Sequence, residues 1–115
     1  MEHTSGYWAD PEESRRSDSG HGHWSYPLLG PENGCVRDCM TGISYYADTC
    51  FTPAATHPFQ EGFLVLSGTG DARVGGETFP LQPMRSFLVP AGVEHTLRSA
   101  SGAQPLVLFW FHAQG

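Results

Sequence analysis

Short apolar runs bounded by turn residues dominate the chain from residue 28 onward. Residues 62–66 form one continuous apolar run, and residues 86–89 form a second strand-like segment that ends at Pro90. Runs of this length that contain β-branched and aromatic residues are typical of buried strands. Because proline lacks the amide proton of a sheet ladder, Pro90 is expected to end the second strand.

A pair of glycines, Gly75 and Gly76, separates two further strand-like segments at residues 71–74 and 77–81. Paired glycines suit the turns that join two twisted strands, since those turns need positive φ. The pattern therefore predicts a tight β-hairpin at Gly75–Gly76.

Strand-like patterns also occupy three other segments: residues 36–46, 95–99 and 106–112. The chain contains 14 glycines and 9 prolines, and no helical period interrupts the short runs. Roughly seven or eight short strands at a spacing of about 8 to 12 residues predict an all-β, antiparallel sandwich or barrel.

The N-terminal segment has a different composition. Residues 1–27 contain no Leu, Ile, Val or Phe, which predicts a polar tail at 1–27 and a folded domain at 28–115. The tail contains four large aromatic residues: Tyr7, Trp8, Trp24 and Tyr26. We expect these side chains to attach the tail to the barrel or to a partner subunit, because aromatic rings favour dry surroundings.

Charge and composition exclude several function classes. The net charge is −6, which repels phosphate backbones and argues against a nucleic-acid partner. No apolar run reaches the roughly 18 to 20 residues of a membrane-spanning helix, so no membrane partner is expected. The N-terminus lacks a basic-then-apolar signal pattern, and the three cysteines cannot all pair. These features predict a cytoplasmic protein with free thiols.

Two short segments carry the candidate chemistry. The first is His57-Pro58-Phe59-Gln60-Glu61, followed after six residues by Gly68, and the second is Pro90-Ala91-Gly92-Val93-Glu94-His95. Together they resemble the two signature motifs of the cupin superfamily. The resemblance spans about residues 35–112 and implies a small single-domain cupin, with the antiparallel double-stranded β-helix (jelly roll) of that family.

The resemblance also implies a metal site. In cupins, the residues corresponding to His57, Glu61 and His95 point into one end of the barrel and hold a divalent metal. Ala55 stands where the family has another histidine. Two imidazoles and one carboxylate can occupy one face of an octahedron, and they suit Fe(II), Mn(II), Ni(II) or Zn(II) as cofactor.

His112 is the candidate for a fourth ligand. The period-2 rule puts it on the same face of its strand as Trp110. The opening glycine of the second cupin motif is replaced by Met84, after Pro83. A glycine there suits a type II turn, so the side chain of Met84 predicts a type I turn instead.

The pocket is expected to be apolar and aromatic. Phe63 and Val65 have the same parity as Glu61, and Phe87 and Trp110 are further lining candidates. These side chains suggest an apolar or aromatic ligand held at its polar end. A cation for a carboxylate group of that ligand could come from one of four arginines: Arg37, Arg73, Arg85 and Arg98.

Two functions remain open. One is a metal-dependent dioxygenase, isomerase or cyclase that acts on a small organic molecule. The alternative is a non-catalytic module that binds or senses a sugar or another metabolite, and a structural barrel has no specific support. Because a body of 88 residues supports only a modest core, we also predict a homodimer.

Overall fold

The structure is a computed structural model that describes residues 6–113, and strands make up about half of it. These strands are β1 Ser17–Gly20, β2 His23–Pro27, β3 Met40–Tyr46, β4 Gln60–Ser67, β5 Gly70–Val74, β6 Glu77–Leu81, β7 Ser86–Val89, β8 His95–Ser99 and β9 Leu106–Ala113. Two 3₁₀ helices span Pro11–Glu13 and Pro31–Asn33. Within the described residues, no helix is long and apolar enough to cross a membrane.

The strands form two antiparallel sheets. The larger sheet has the order β1-β2-β3-β9-β4-β7, and the smaller has the order β6-β5-β8. Buried side chains of both sheets form one apolar core, with Val65 and Leu108 from the larger sheet and Leu97 from the smaller. The predicted all-β, antiparallel jelly-roll fold is confirmed.

The predicted hairpin is present. β5 and β6 pair from Gly70↔Leu81 to Val74↔Glu77, so that only Gly75 and Gly76 lie between the strands. Gly75 has a φ of 57°, which glycine adopts without the steric cost of a Cβ atom.

The turn before β7 differs from the prediction. Met84 has a φ of 73°, and the amide of Arg85 donates to the carbonyl of Gln82 at 3.0 Å. Since Pro83 cannot adopt positive φ, this is a type II turn, and the predicted type I turn is wrong. Two backbone hydrogen bonds with Val65 fix the turn. The amide of Met84 donates to the carbonyl of Val65, and the amide of Val65 donates to the carbonyl of Arg85.

β3 begins four residues later than the sequence pattern predicts. Arg37 and Asp38 have φ values of 57° and 61°, so the backbone before Met40 is not extended. Two consecutive residues in the left-handed conformation prevent the strand from beginning earlier, although the neighbouring side chains would suit a strand.

Much of the predicted tail joins the larger sheet. β1 pairs with β2, and β2 pairs with β3 along its whole length. On the outer face of the sheet, Trp24 stacks on Tyr45 at 5.2 Å, and Tyr26 meets Tyr45 edge-on at 5.8 Å. Aromatic contacts therefore hold this segment to the sheet in place of the aliphatic residues that usually mark a folded segment. Residues 1–5 lie outside the described part of the chain. The division into a polar tail at 1–27 and a barrel domain at 28–115 stays a prediction.

Candidate metal centre and cavity

A cavity of about 510 Å³ is lined by residues of both sheets and of the loop between β3 and β4. This volume is within the usual range of small-molecule sites. Its lining includes four of the residues that sequence analysis singled out as ligands or candidate ligands: His57, Glu61, His95 and His112.

The structure brings the three predicted metal ligands together. His57 lies in the loop before β4, Glu61 is the second residue of β4, and His95 begins β8. One donor atom of each residue lies within 4.8 Å of the others. Glu61 Oε1 is 3.6 Å from His57 Nε2 and 3.5 Å from His95 Nε2.

Backbone hydrogen bonds hold the two motifs in this arrangement. Ala55 and His95 exchange amide–carbonyl hydrogen bonds of 3.0 Å in both directions, and the amide of Gly92 donates to the carbonyl of His57 at 2.8 Å. Gly92 has a φ of 76°, which lets the chain turn sharply before His95. Ala55 itself lines the cavity, so the position of the family's other histidine faces the site without a donor.

The separation of Glu61 Oε1 from the two imidazole nitrogens fits a transition metal. Donors bound at about 2.1 Å are about 3.0 Å apart at right angles and about 3.4 Å apart in a tetrahedron. The observed separations of 3.5 and 3.6 Å need only a small contraction to reach these values. Two imidazoles and one carboxylate form the facial set that leaves positions open for water or a ligand.

The charge of the cavity also fits a cation. Glu61 is buried, with 7% of its surface exposed. The chain contains no lysine, and no arginine is among the described residues that line the cavity. The Glu61 carboxylate is close to imidazoles but to no arginine of the described lining, and a bound metal ion would offset the cost of burying its charge.

Burial keeps the imidazole of His57 suited to metal binding. It lowers the pKa of His57 below the ordinary value of 6.5, against the opposite effect of the nearby Glu61 carboxylate. A neutral imidazole offers the lone pair that a metal needs. The Nδ1 atom of His95 is buried and has no hydrogen-bond partner among the described residues.

His112 contacts the other oxygen of Glu61. Its Nε2 lies 2.9 Å from Glu61 Oε2. The ring of His112 also packs on Phe59 at 4.2 Å and stacks on Trp110 at 4.6 Å. The structure thus puts His112 beside the group formed by His57, Glu61 and His95, at hydrogen-bond distance from Glu61.

The predicted pocket residues separate into two sets. Phe63 and Trp110 line the cavity. Val65 has no exposed surface and lies in the core. Phe87 stacks on Phe63 at 4.7 Å, and neither it nor Val65 is among the described lining residues.

The four candidate arginines lie elsewhere. Arg73 and Arg98 lie against the ring of Phe51 at 4.3 and 4.5 Å. Arg85 donates to the carbonyl of Pro80 at 2.7 Å, and Arg37 lies in the loop before β3. Among the described residues, none of the four lines the cavity.

His23 belongs to the segment that the sequence predicts to be a polar tail, but it lines the cavity. Its ring stacks on Tyr46 at 4.1 Å, and burial lowers its pKa. Alternation along β2 could have indicated this position, because Trp24 and Tyr26 cover the outer face of the sheet. Ser25, also inward, accepts a hydrogen bond of 3.2 Å from Nε1 of Trp110.

Comparisons with solved structures support the fold. An RmlC-like cupin from Shewanella frigidimarina has a TM-score of 0.76 and 17% identity, covering 95% of this chain and 91% of that one. KdgF from Halomonas sp. has a TM-score of 0.75 and 17% identity, covering 96% of each chain. Salicylate 1,2-dioxygenase from Pseudoaminobacter salicylatoxidans has a TM-score of 0.71 and 20% identity, covering 84% of this chain and 26% of that one.

Sequence comparisons identify the family. L-ectoine synthase from Vibrio campbellii is 30% identical over 69 residues, which are 56% of this chain and 54% of the synthase. The chain thus spans about half the length of that curated relative. The family model for the Cupin domain matches residues 45–112, which include both motifs and all three candidate ligands. This chain therefore belongs to the cupin family.

Proposed function

We propose that the protein binds one divalent transition metal through His57, Glu61 and His95, and a small organic molecule beside it. The observation that carries this proposal is the buried carboxylate of Glu61, whose Oε1 lies within 3.6 Å of two imidazole nitrogens. Iron, manganese, nickel and zinc all accept this donor set.

The lining of the cavity supports a ligand with an apolar body and a polar end. Phe63 and Trp110 offer aromatic surface, while Ser44, Tyr46 and Thr96 offer hydroxyl groups. Burial raises the pKa of the Tyr46 hydroxyl, so this group remains a hydrogen-bond donor. The polar end of the ligand would face the metal ligands, and the aromatic rings would exclude water from its body.

The preferred activity is that of a metal-dependent dioxygenase, isomerase or cyclase. A metal bound here would act as a Lewis acid on a coordinated water or on a carbonyl or enolate oxygen of the ligand. The protein side chains would orient the ligand and limit the access of water. A dioxygenase and a synthase among the similar proteins support this class of reaction.

The second candidate is a non-catalytic module that binds or senses a sugar or another metabolite. Ala55 favours it, because this residue lines the cavity at the position of the family's other histidine and offers no ligand. Three protein donors retain a metal less tightly than four, and the hydroxyl-rich part of the cavity can hold a polar ligand without one.

Metal analysis of the purified protein and titration with Mn²⁺ or Zn²⁺ test the proposal. We expect one ion per chain in the wild type, and loss of binding in His57→Ala and His95→Ala. His21→Asn is the matched control, because His21 also lines the cavity but lies outside the three-residue group. Equal binding by all variants would overturn the metal site. Metal binding without turnover of any small molecule that can coordinate the metal through oxygen would favour the non-catalytic binding module.

A further inference from the structure

The two oxygens of Glu61 have different neighbours. Oε1 faces the imidazoles of His57 and His95 at 3.6 and 3.5 Å. Oε2 is 2.9 Å from Nε2 of His112, which is hydrogen-bond distance. Only Oε1 therefore belongs to the group that would surround a metal.

The pairing of β4 and β9 produces this contact. Glu61 and His112 are opposite each other in the antiparallel register, and both side chains point inward. Side chains directly opposite each other have closely spaced Cβ atoms, so the ring of His112 reaches the carboxylate without crossing the cavity.

The ring of His112 is also held from its sides. It lies near Phe59 at a centroid distance of 4.2 Å and stacks on Trp110 at 4.6 Å with an interplanar angle of 27°. To become a metal ligand through Nε2, His112 would have to give up its bond to Glu61 and leave these two rings.

We propose that His112 is a positioning residue for the metal site: it donates Nε2–H to Glu61 Oε2 and so directs Oε1 toward His57 and His95. A carboxylate can only accept a hydrogen bond, so the proton lies on Nε2 of the imidazole. Because Oε2 is engaged, Glu61 coordinates through one oxygen, which leaves more of the metal's coordination positions to the ligand. This inference rests on the metal site proposed above.

Substitution of His112 separates the hydrogen bond from the packing. His112→Phe keeps an aromatic ring beside Phe59 and Trp110 but removes the donor. His112→Gln removes the ring, but its amide nitrogen can donate to Oε2 from nearly the same place. Loss of a hydrogen bond to a metal ligand typically weakens metal affinity about 10- to 100-fold.

The test is titration of the metal-free proteins with Mn²⁺ at pH 7.5, together with their thermal unfolding. We expect Kd to rise about 10-fold or more in His112→Phe. In His112→Gln, the donor should keep Kd within about threefold of wild type. His112→Leu, which also lacks a donor, should match His112→Phe and replaces it if that variant does not fold.

Pulsed electron paramagnetic resonance of the Cu²⁺-loaded protein adds a second readout, because it counts coordinated imidazoles. We expect two in the wild type and two in His112→Gln. Three imidazoles in the wild type, or unchanged affinity in the variants without a donor, would overturn the positioning role alone. A wild type that binds no metal would overturn the metal site itself, and the positioning role with it.

Discussion

At Glu61, a charge is buried in a cavity whose described lining residues include histidines but no arginine. Such a residue is retained at a cost to folding unless something compensates its charge. Burial lowers the pKa of His57, so this imidazole favours the neutral form and compensates the charge of Glu61 only weakly. Glu61 is therefore expected to lower the stability of the metal-free protein and to be required for metal binding.

We expect Glu61→Gln to leave the metal-free melting temperature unchanged or higher, because the amide has the same shape and removes the buried charge. The same change should abolish the rise in melting temperature that Mn²⁺ or Zn²⁺ produces in the wild type. Thermal unfolding with and without metal measures both effects. A metal-induced rise that survives in Glu61→Gln would contradict the assigned ligand set.

His23 predicts a pH dependence of stability. Burial lowers its pKa below 6.5, outweighing the opposing effects of Glu61 and Asp18. As the pH falls through 6.5, the unfolded chain therefore binds a proton that the folded chain does not. The free energy of unfolding should decrease in that window and recover as the pH rises.

Urea unfolding at pH 7.5 and pH 5.5 measures this effect. His23→Phe is the matched variant, because it retains an aromatic ring for stacking on Tyr46 and cannot titrate. Its loss of stability between the two pH values should be smaller than that of the wild type. The same loss in both proteins would exclude His23 as a source of the pH dependence.

At the scale of elements, the pairing of β3 with β9 depends on one small residue. Gly42 is opposite Trp110, and a Cβ atom at Gly42 would lie 2.2 Å from the indole ring. Trp110 is buried and hydrogen-bonded to Ser25, so its ring has little freedom to move away. Only glycine fits at this position, because the ring of Trp110 lies where a Cβ atom would be.

We expect Gly42→Ala to destabilise the protein by about 1 to 3 kcal/mol, the usual cost of overpacking. Gly76→Ala is the control, since a Cβ atom there would have no neighbour within 4 Å. Urea unfolding should show a clear decrease for the first variant and a much smaller change for the second. Equal stability of the two variants would show that Trp110 can relocate.

At the scale of the whole molecule, the outer face of the larger sheet carries exposed apolar side chains. Leu66, Leu88 and Phe111 are 42%, 50% and 43% exposed. Leu88 and Phe111 flank Gly62 in the strand register, and the ring of Phe111 lies over that glycine. Exposed apolar side chains grouped on one face are typical of interfaces between proteins.

We propose that this face forms a homodimer. A charge placed there would be desolvated on association, so Leu88→Glu and Phe111→Glu should shift the protein toward monomer. Light scattering after size-exclusion chromatography measures the change. Val36→Glu is the control, because Val36 is exposed in the loop before β3. A monomeric wild type would contradict the proposal.

The amino-acid sequence by itself determined strands β4 to β9, the Gly75–Gly76 hairpin and the two cupin motifs, because these depend on period-2 alternation and on turn residues close together in the chain. Only the tertiary structure decided which strands are neighbours. The contact of His112 with Glu61 joins residues 51 positions apart, and His23 reaches the cavity from a segment whose composition resembles a tail. The turn at Met84 follows the same rule, since its positive φ is held by hydrogen bonds to Val65 in another strand. Local patterns select the face on which a side chain lies, whereas long-range pairing selects what that side chain meets.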